Sequence, residues 1–381
     1  MKRFLNLESL VSKKSHFLFG PRATGKSYLI NNQLLDQAHI IDLLDSDIYL
    51  KLQHRPAELR DIIASVSRNL IVIDEIQRIP ELLNEVHRLI ENSNILVFLL
   101  TGSSARRLKR ENANMLGGRA RRAELFPLTI FELMQEEIFD LERYLTFGGL
   151  PSVYLGTDPY EELRDYIDVY LNEEVKFESN IRNLPNFSRF LFACAMSNGT
   201  VINYTKMGND AQVHPNTIRD HFEILEDTLL AKVVLPWNRA KKRKSIATPK
   251  FYFIDCGISN AIQKIKQLNP TSKGVSFEQA VFLELNAYIS YNRLDEEITF
   301  WRTRDQSEVD FIISDHTAIE VKATRNVSER DQKNLLKISD EVKFKQRLIV
   351  SNDPISKKFD SGIQCLSLGE FVERMWNKEL F

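Results

Sequence analysis

Eight consecutive residues, Gly20-Pro21-Arg22-Ala23-Thr24-Gly25-Lys26-Ser27, fit the pattern G-x-x-x-x-G-K-[ST] and carry the chemistry to hold a polyphosphate. Gly20 and Gly25 permit a backbone whose N–H groups converge on one concavity. Lys26 is placed to reach the β- and γ-phosphates as a point charge, and the Ser27 hydroxyl to take a position on Mg²⁺. The flanks agree. Residues 16–19 read as a buried strand, and residues 26–35 as a helix whose N-terminal dipole adds to the anion site. A nucleoside triphosphate is the expected ligand.

About fifty residues on, the apolar run 70–73 ends in Asp74 and Glu75. An acid at the C-terminal end of a buried strand belongs at the sheet edge that faces a triphosphate, where Asp74 would organise Mg²⁺. Glu75 beside it is the expected general base for the attacking water. A further strand at 95–100 closes on Thr101-Gly102-Ser103-Ser104. Thr101 and Ser103 are candidates for sensing the γ-phosphate, and helix capping by Ser103 or Ser104 is the competing use. Arg119, on the glycine-flanked turn 117–122, is a candidate arginine finger for its own nucleotide site or a neighbour's. The alternative is a solvated basic loop.

A second constellation lies in the last third. Residues 277–285 form an amphipathic helix carrying Glu278, followed by expected strands at 298–302, 308–313 and 318–322. Period two puts Glu320 and Lys322 on one face, where Asp310 of the neighbouring strand can meet them. Carboxylates and a lysine at one sheet edge suit Mg²⁺ binding and water activation for phosphodiester hydrolysis. A strand pair with charged exposed faces is the bland reading.

The elements that must position these groups are those of an α/β protein. Strands alternate with helices through the first third: a strand at 39–43, a helix from Pro56 to about Arg68, a strand at 123–126. From Glu132 to about Asn198 the pattern is helical, with a linker placed near Gly148-Gly149. Then come a short helix at 204–211, a turn at 213–215 and a longer helix at 215–230. Strands at 231–235 and 250–254 follow, separated by a basic run that includes Lys241, Lys242, Arg243 and Lys244. Helix, turn, helix and basic-tipped hairpin is the layout of a winged helix. Asn216, Thr217, Arg219 and Asp220 near the helix start would face a major groove, and the tip would meet phosphates. Packing without DNA contact is the alternative.

At 381 residues the chain suggests two or three domains, here 1–147, 148–268 and 269–381. A net charge of −1 leaves no global basicity, so any nucleic-acid surface must be local. Cys194, Cys256 and Cys365 have no metal-ligand spacing and fit a reducing compartment. No apolar run approaches the about 20 residues of a membrane span, so a cytoplasmic protein without membrane contact is expected.

In order, GPRATGKS, LIVIDEIQRIP, LLTGSS and GGRARRAELFPLTIFEL resemble the AAA-type ATPases. In particular they resemble the stand-alone ATPases of bacteria and archaea with an uncharacterised C-terminal region. Residues 144–151 and the stretch FYFIDCGISNAI share that likeness, which spans nearly the whole chain. It implies ATP and Mg²⁺ as cofactors and favours homo-oligomers. The C-terminal residues resemble the PD-(D/E)xK, restriction-endonuclease-like fold. That resemblance makes Glu278 the helix acid, Asp310 and Glu320 metal ligands and Lys322 the charge near the attacking hydroxide. Gln332 matches a less regular polar position, and Val309 stands where that family often has proline. The expectation is an ATPase acting on DNA, with a Mg²⁺-dependent nuclease site. The alternative is a nucleotide-dependent switch whose C-terminal fold only binds a partner or DNA.

Overall fold

The computed structural model describes residues 1–103, 108, 116–178, 181, 183–239 and 246–381. They form two units. One comprises Met1–Phe126, Val169–Leu184 and Glu223–Leu230, and the other Pro127–Asp168, Pro185–Phe222 and Ala231–Phe381.

The first unit is built on five parallel strands: β1 Ser15–Phe19, β2 Ala38–Asp42, β3 Leu70–Asp74, β4 Val97–Gly102 and β5 Ala120–Glu124. Their order is β2-β3-β4-β1-β5. Parallel strands covered on both faces read as unbroken apolar runs, as in Leu70-Ile71-Val72-Ile73. Phe17, Phe19, Ile71, Ile73, Phe98 and Leu100 share one buried cluster with Leu83 and Val86 of the helix Leu82–Asn92. The expected strand at 123–126 begins three residues earlier. Arg121 and Arg122 are exposed on this edge strand, so hydrophobicity does not mark its start. The single helix expected from Pro56 to Arg68 is instead Glu58–Ala64, preceded by Ser46–His54. The Asp45 side chain caps that earlier helix by accepting from the Asp47 and Ile48 N–H groups.

The second unit holds an eight-stranded mixed sheet of β6 Ala231–Pro236, β7 Lys250–Phe253, β8 Ile298–Arg302, β9 Glu308–Ile313, β10 Thr317–Lys322, β11 Gln346–Ser351, β12 Lys357–Lys358 and β13 Gln364–Ser367. Their order is β12-β13-β11-β10-β9-β8-β6-β7. The β6–β7 hairpin expected to be a wing is therefore an edge of the C-terminal sheet, joined where Leu235 and Pro236 pair with Thr299 and Phe300. Backbone hydrogen bonding runs across the boundary placed at 268. The boundary placed at 147 also lies inside this unit: Leu128 N donates to Gly149 O at 2.7 Å and Gly149 N to Asp255 Oδ2 at 2.7 Å.

The helix expected at 277–285 extends over Pro270–Asn292, started by an Asn269–Ser272 capping box. From it the buried Glu284 accepts hydrogen bonds from Ile130 N (2.8 Å), Phe131 N (3.0 Å) and Trp376 Nε1 (2.7 Å). Burial raises its pKa to about 7 against these donors. Helix Tyr204–Ala211, a turn, helix Pro215–Asp227 and the β6–β7 hairpin follow one another as expected. Among the described residues no helix is long and apolar enough to cross a membrane.

Candidate nucleotide site and acidic cluster

Because all strands of the first unit run parallel, the residues that end them share one sheet edge. The loop Gly20–Gly25 leaves β1 there, β3 ends in Asp74, and Thr101 sits on β4 between the two. A Cβ at Gly20 would stand 2.5 Å from the Leu125 carbonyl oxygen, so no larger residue fits. Gly25 at φ 88° turns the chain into the helix Lys26–Leu34. Lys26 is buried and donates to Gly20 O (2.7 Å) and Pro21 O (3.1 Å), neutral oxygens of its own loop. Burial lowers its pKa, and the charges of Glu75 and Asp74 oppose that. Arg3 braces the loop from behind, donating to Thr24 O (2.8 Å) and Phe126 O (2.6 Å).

The acidic end is tied together by hydroxyls. Ser27 Oγ donates to Asp74 Oδ2 at 2.8 Å. Thr101 Oγ1 donates to Asp74 Oδ1 and accepts from Glu75 N at 3.1 Å, so one hydroxyl links both acids of the strand end. Glu75 is a non-glycine residue at φ 61°, a conformation that costs on the order of 1 kcal/mol and clusters at functional sites. Its carboxylate accepts from Gln77 Nε2. Burial raises the Glu75 pKa against the pull of Lys26. Gln77 also donates to Ser103 Oγ at 3.3 Å, which connects both sensing candidates to the acids.

Arg22 Nε donates to Glu174 Oε1 at 2.6 Å. A cleft of about 480 Å³ is lined by Arg22, Gly25, Lys26, Ser27, Glu75 and Gln77, within the range of small-ligand pockets. Arg119 lies elsewhere. It precedes β5, whose Ala120 pairs with Ser15 at the start of β1, so it stands at the sheet edge opposite the loop, 2.5 Å from Glu91 Oε1. This placement removes it from its own nucleotide site.

In the second unit, antiparallel β9 and β10 bring Asp310 beside Glu320 and Lys322. Asp310 Oδ2 accepts from Val321 N at 2.7 Å, and Lys322 Nζ donates to Glu320 Oε1 at 2.6 Å. Among the described residues Glu320 Oε2 is buried without a hydrogen-bond partner. Glu278 accepts from Tyr252 OH (2.6 Å) and from the buried Lys250 (3.5 Å), which is also ion-paired to Glu308. Burial, then the charges of Glu320 and Glu278, push Asp310 well above the usual carboxylate range. Glu320 is raised by burial against Lys322. Burial depresses Lys322, but Glu320 and Asp310 reverse it to a net rise. Gln332 is bonded to Ser361 Oγ, and Asn334 is the side chain that reaches Glu320, at 3.4 Å.

The sequence reading missed Lys250, Tyr252 and Glu308. Period two along β7 puts Lys250 and Tyr252 on one face, but nothing local marks that face as the one that meets Glu278. Among the described residues no three His, Cys, Asp or Glu side chains are arranged to hold a metal ion. Here lysines supply the counter-charge.

Lys241, Lys242, Arg243 and Lys244 lie outside the described residues. Of the helix-start group, Asn216 N donates to His214 Nδ1 at 3.2 Å. Arg219 lies over the Tyr204 ring at 4.7 Å, and Asp220 is exposed.

Residues 12–134 match the AAA domain family, residues 138–269 a domain of unknown function (DUF8612) and residues 273–371 another domain of unknown function (DUF4143). The chain is 29% identical over 335 residues to an uncharacterised protein of Methanocaldococcus jannaschii, covering 80% of this chain and 73% of that one. It is 26% identical over 253 residues to an uncharacterised protein of Mycobacterium tuberculosis, covering 64% of this chain and 56% of that one. A structure of the replication initiator DnaA bound to AMPPCP and single-stranded DNA aligns with 58% of this chain and 84% of that one. Its TM-score is 0.28 at 14% identity, a likeness too loose to define the fold.

Proposed function

We propose that this chain, with an AAA-type P-loop ATPase domain ahead of a DUF4143 region, binds and hydrolyses ATP with Mg²⁺ at the edge formed by Gly20–Ser27, Asp74, Glu75 and Thr101. The observation that carries the reading is the Ser27–Asp74–Thr101–Glu75 hydrogen-bond chain beside a buried lysine that has neutral carbonyl oxygens as its hydrogen-bond partners. Ser27 and Asp74 suit Mg²⁺, an ion that keeps phosphate and water ligands and needs few protein groups. Mg²⁺ would supply charge neutralisation on the phosphates. Lys26 holds the phosphates, Thr101 fixes Asp74 and the Glu75 backbone, and the Glu75 carboxylate takes the proton of the attacking water. Glu75→Gln should keep ATP binding and lower turnover by about 10²–10⁴-fold. Unchanged turnover would remove Glu75 as the base.

The wider role we propose is action on DNA inside the cytoplasm, with the Glu278–Asp310–Glu320–Lys322 cluster as a Mg²⁺-dependent nuclease site. Although no three His, Cys, Asp or Glu side chains converge on a metal position among the described residues, Mg²⁺ needs only one or two carboxylates, and the Asp310–Glu320 pair with its unpartnered Glu320 Oε2 supports a cation there. Arg119, away from its own loop, would serve a neighbouring subunit of a homo-oligomer. Cleavage of linear, single-stranded and branched DNA by wild type and Asp310→Ala, with Mg²⁺ and Mn²⁺ and with and without ATP, tests this. Absence of cleavage with DNA still bound would leave a nucleotide switch with a binding module.

A further inference from the structure

A second cleft in the Ala231–Phe381 unit has a charge pattern that neither catalytic proposal uses. Its volume is about 960 Å³. One wall is formed by the helix starts at Tyr204 and Pro215, and the other by the turn from β8 to β9. Among the described residues Lys206, Arg219, Arg302 and Arg304 line it, and no Asp or Glu does. The chain as a whole carries 51 basic and 52 acidic residues, so a wall without carboxylates is a local choice. Among the described residues Lys206, Arg219 and Arg304 have no ion-pair partner. The carboxylate of the same turn, Asp305, is drawn to Lys337. Unpaired cations converging on one concavity repel one another unless a polyanion enters.

We propose that this cleft binds a short segment of single-stranded DNA, an inference that rests on the reading that the chain acts on DNA. Arg219, Arg304 and Lys206 contact successive phosphates, and a base stacks at Tyr204, whose ring already lies 4.7 Å from the Arg219 guanidinium. The volume is that of a large small-ligand pocket, enough for a few nucleotides. The helix start that would enter a major groove in a winged helix here forms one side of the cleft. Arg302 lies 3.3 Å from Glu308 Oε2, and Glu308 is paired to Lys250, which also meets Glu278 of the acidic cluster. This ion-pair chain connects the wall of the cleft to the acidic cluster.

The test is fluorescence anisotropy with a labelled oligodeoxynucleotide, single-stranded and then annealed, across a salt series. Wild type, Arg219→Ala/Arg304→Ala and Tyr204→Leu are compared, with circular dichroism and ATP affinity as controls on folding. The expected result is a loss of about tenfold or more for the double variant, with a salt slope shallower by about 1.4 for two lost phosphate contacts. Tyr204→Leu should weaken binding with the slope unchanged, as loss of stacking requires. Wild-type binding with both variants unaffected overturns the cleft and leaves action on DNA standing. Tighter binding of the duplex overturns the single-stranded occupant. Failure of wild type to bind either form removes the DNA reading and this site together.

Discussion

The two carboxylate-bearing sites have opposite electrical needs. At the phosphate loop a buried cation, Lys26, donates hydrogen bonds to neutral carbonyl oxygens, while Asp74 accepts from two hydroxyls and Glu75 from the Gln77 side-chain amide. In the second unit, Glu278, Glu308, Asp310 and Glu320 crowd around Lys250 and Lys322, and among the described residues one buried oxygen, Glu320 Oε2, has no donor. Burial lowers the proton affinity of Lys26 and raises that of Asp310 and Glu320. On the proposed reading an anion completes the first arrangement and a cation the second. Sites that look alike in a list of residue types are told apart by the sign of the missing charge.

The sharpest way to break this contrast is to remove each charge in turn. Lys26→Ala should weaken ATP binding by about a hundredfold, measured by titration calorimetry, because a charged hydrogen-bond donor to phosphate is lost. Millimolar Mg²⁺ without nucleotide should raise the melting temperature of wild type, and Asp310→Asn should abolish that rise while leaving ATP affinity unchanged. An equal rise in both proteins would show that the lysines already balance the cluster.

A smaller effect is expected at Thr101. Thr101→Val keeps the shape but leaves Asp74 Oδ1 and Glu75 N without their common partner, a loss of about 1–3 kcal/mol in stability. Turnover should fall more than ATP affinity does, which steady-state kinetics alongside calorimetry would read.

The second unit also has a structural carboxylate whose pH response has a definite sign. Glu284 has a folded pKa of about 7, above the unfolded value, so the folded state binds more protons across the interval between them. Stability should therefore fall as pH rises from about 4.5 to about 7, and Glu284→Gln should flatten that slope in thermal melts. Asp255, raised to about 6 by burial, extends the same trend at lower pH.

The smallest effect is at Arg119. Its pairing with Glu91 is exposed, so Arg119→Ala should change stability by less than about 1 kcal/mol and leave ATP affinity unaltered. Its turnover should fall where subunits assemble, as turnover measured against protein concentration would show.

The phosphate loop and the ends of β3 and β4 were legible because each local signal there agrees with the fold. Glycine spacing, fully buried parallel strands and terminal acids all point one way. The start of β5 was hidden because an edge strand carries arginines, and the helix Ser46–His54 because it begins on a short aspartate-rich turn. Asp310, Glu320 and Lys322 were readable from alternation along β9 and β10. Lys250 and Glu308 were not, since a buried lysine on a strand acquires meaning only when a distant helix brings Glu278 to it. The pairing of β6 with β8 was equally invisible: strand neighbours separated by more than sixty residues leave no local trace.

The division of the chain into two units has an optical consequence. All three tryptophans, Trp237, Trp301 and Trp376, fall in the second unit, as do the three free, buried cysteines. The nucleotide site lies wholly in the first, which is dark to tryptophan emission and to thiol reagents. A change in indole fluorescence or thiol labelling on adding ATP would thus be a signal transmitted from one unit to the other, obtained from the unlabelled wild-type chain.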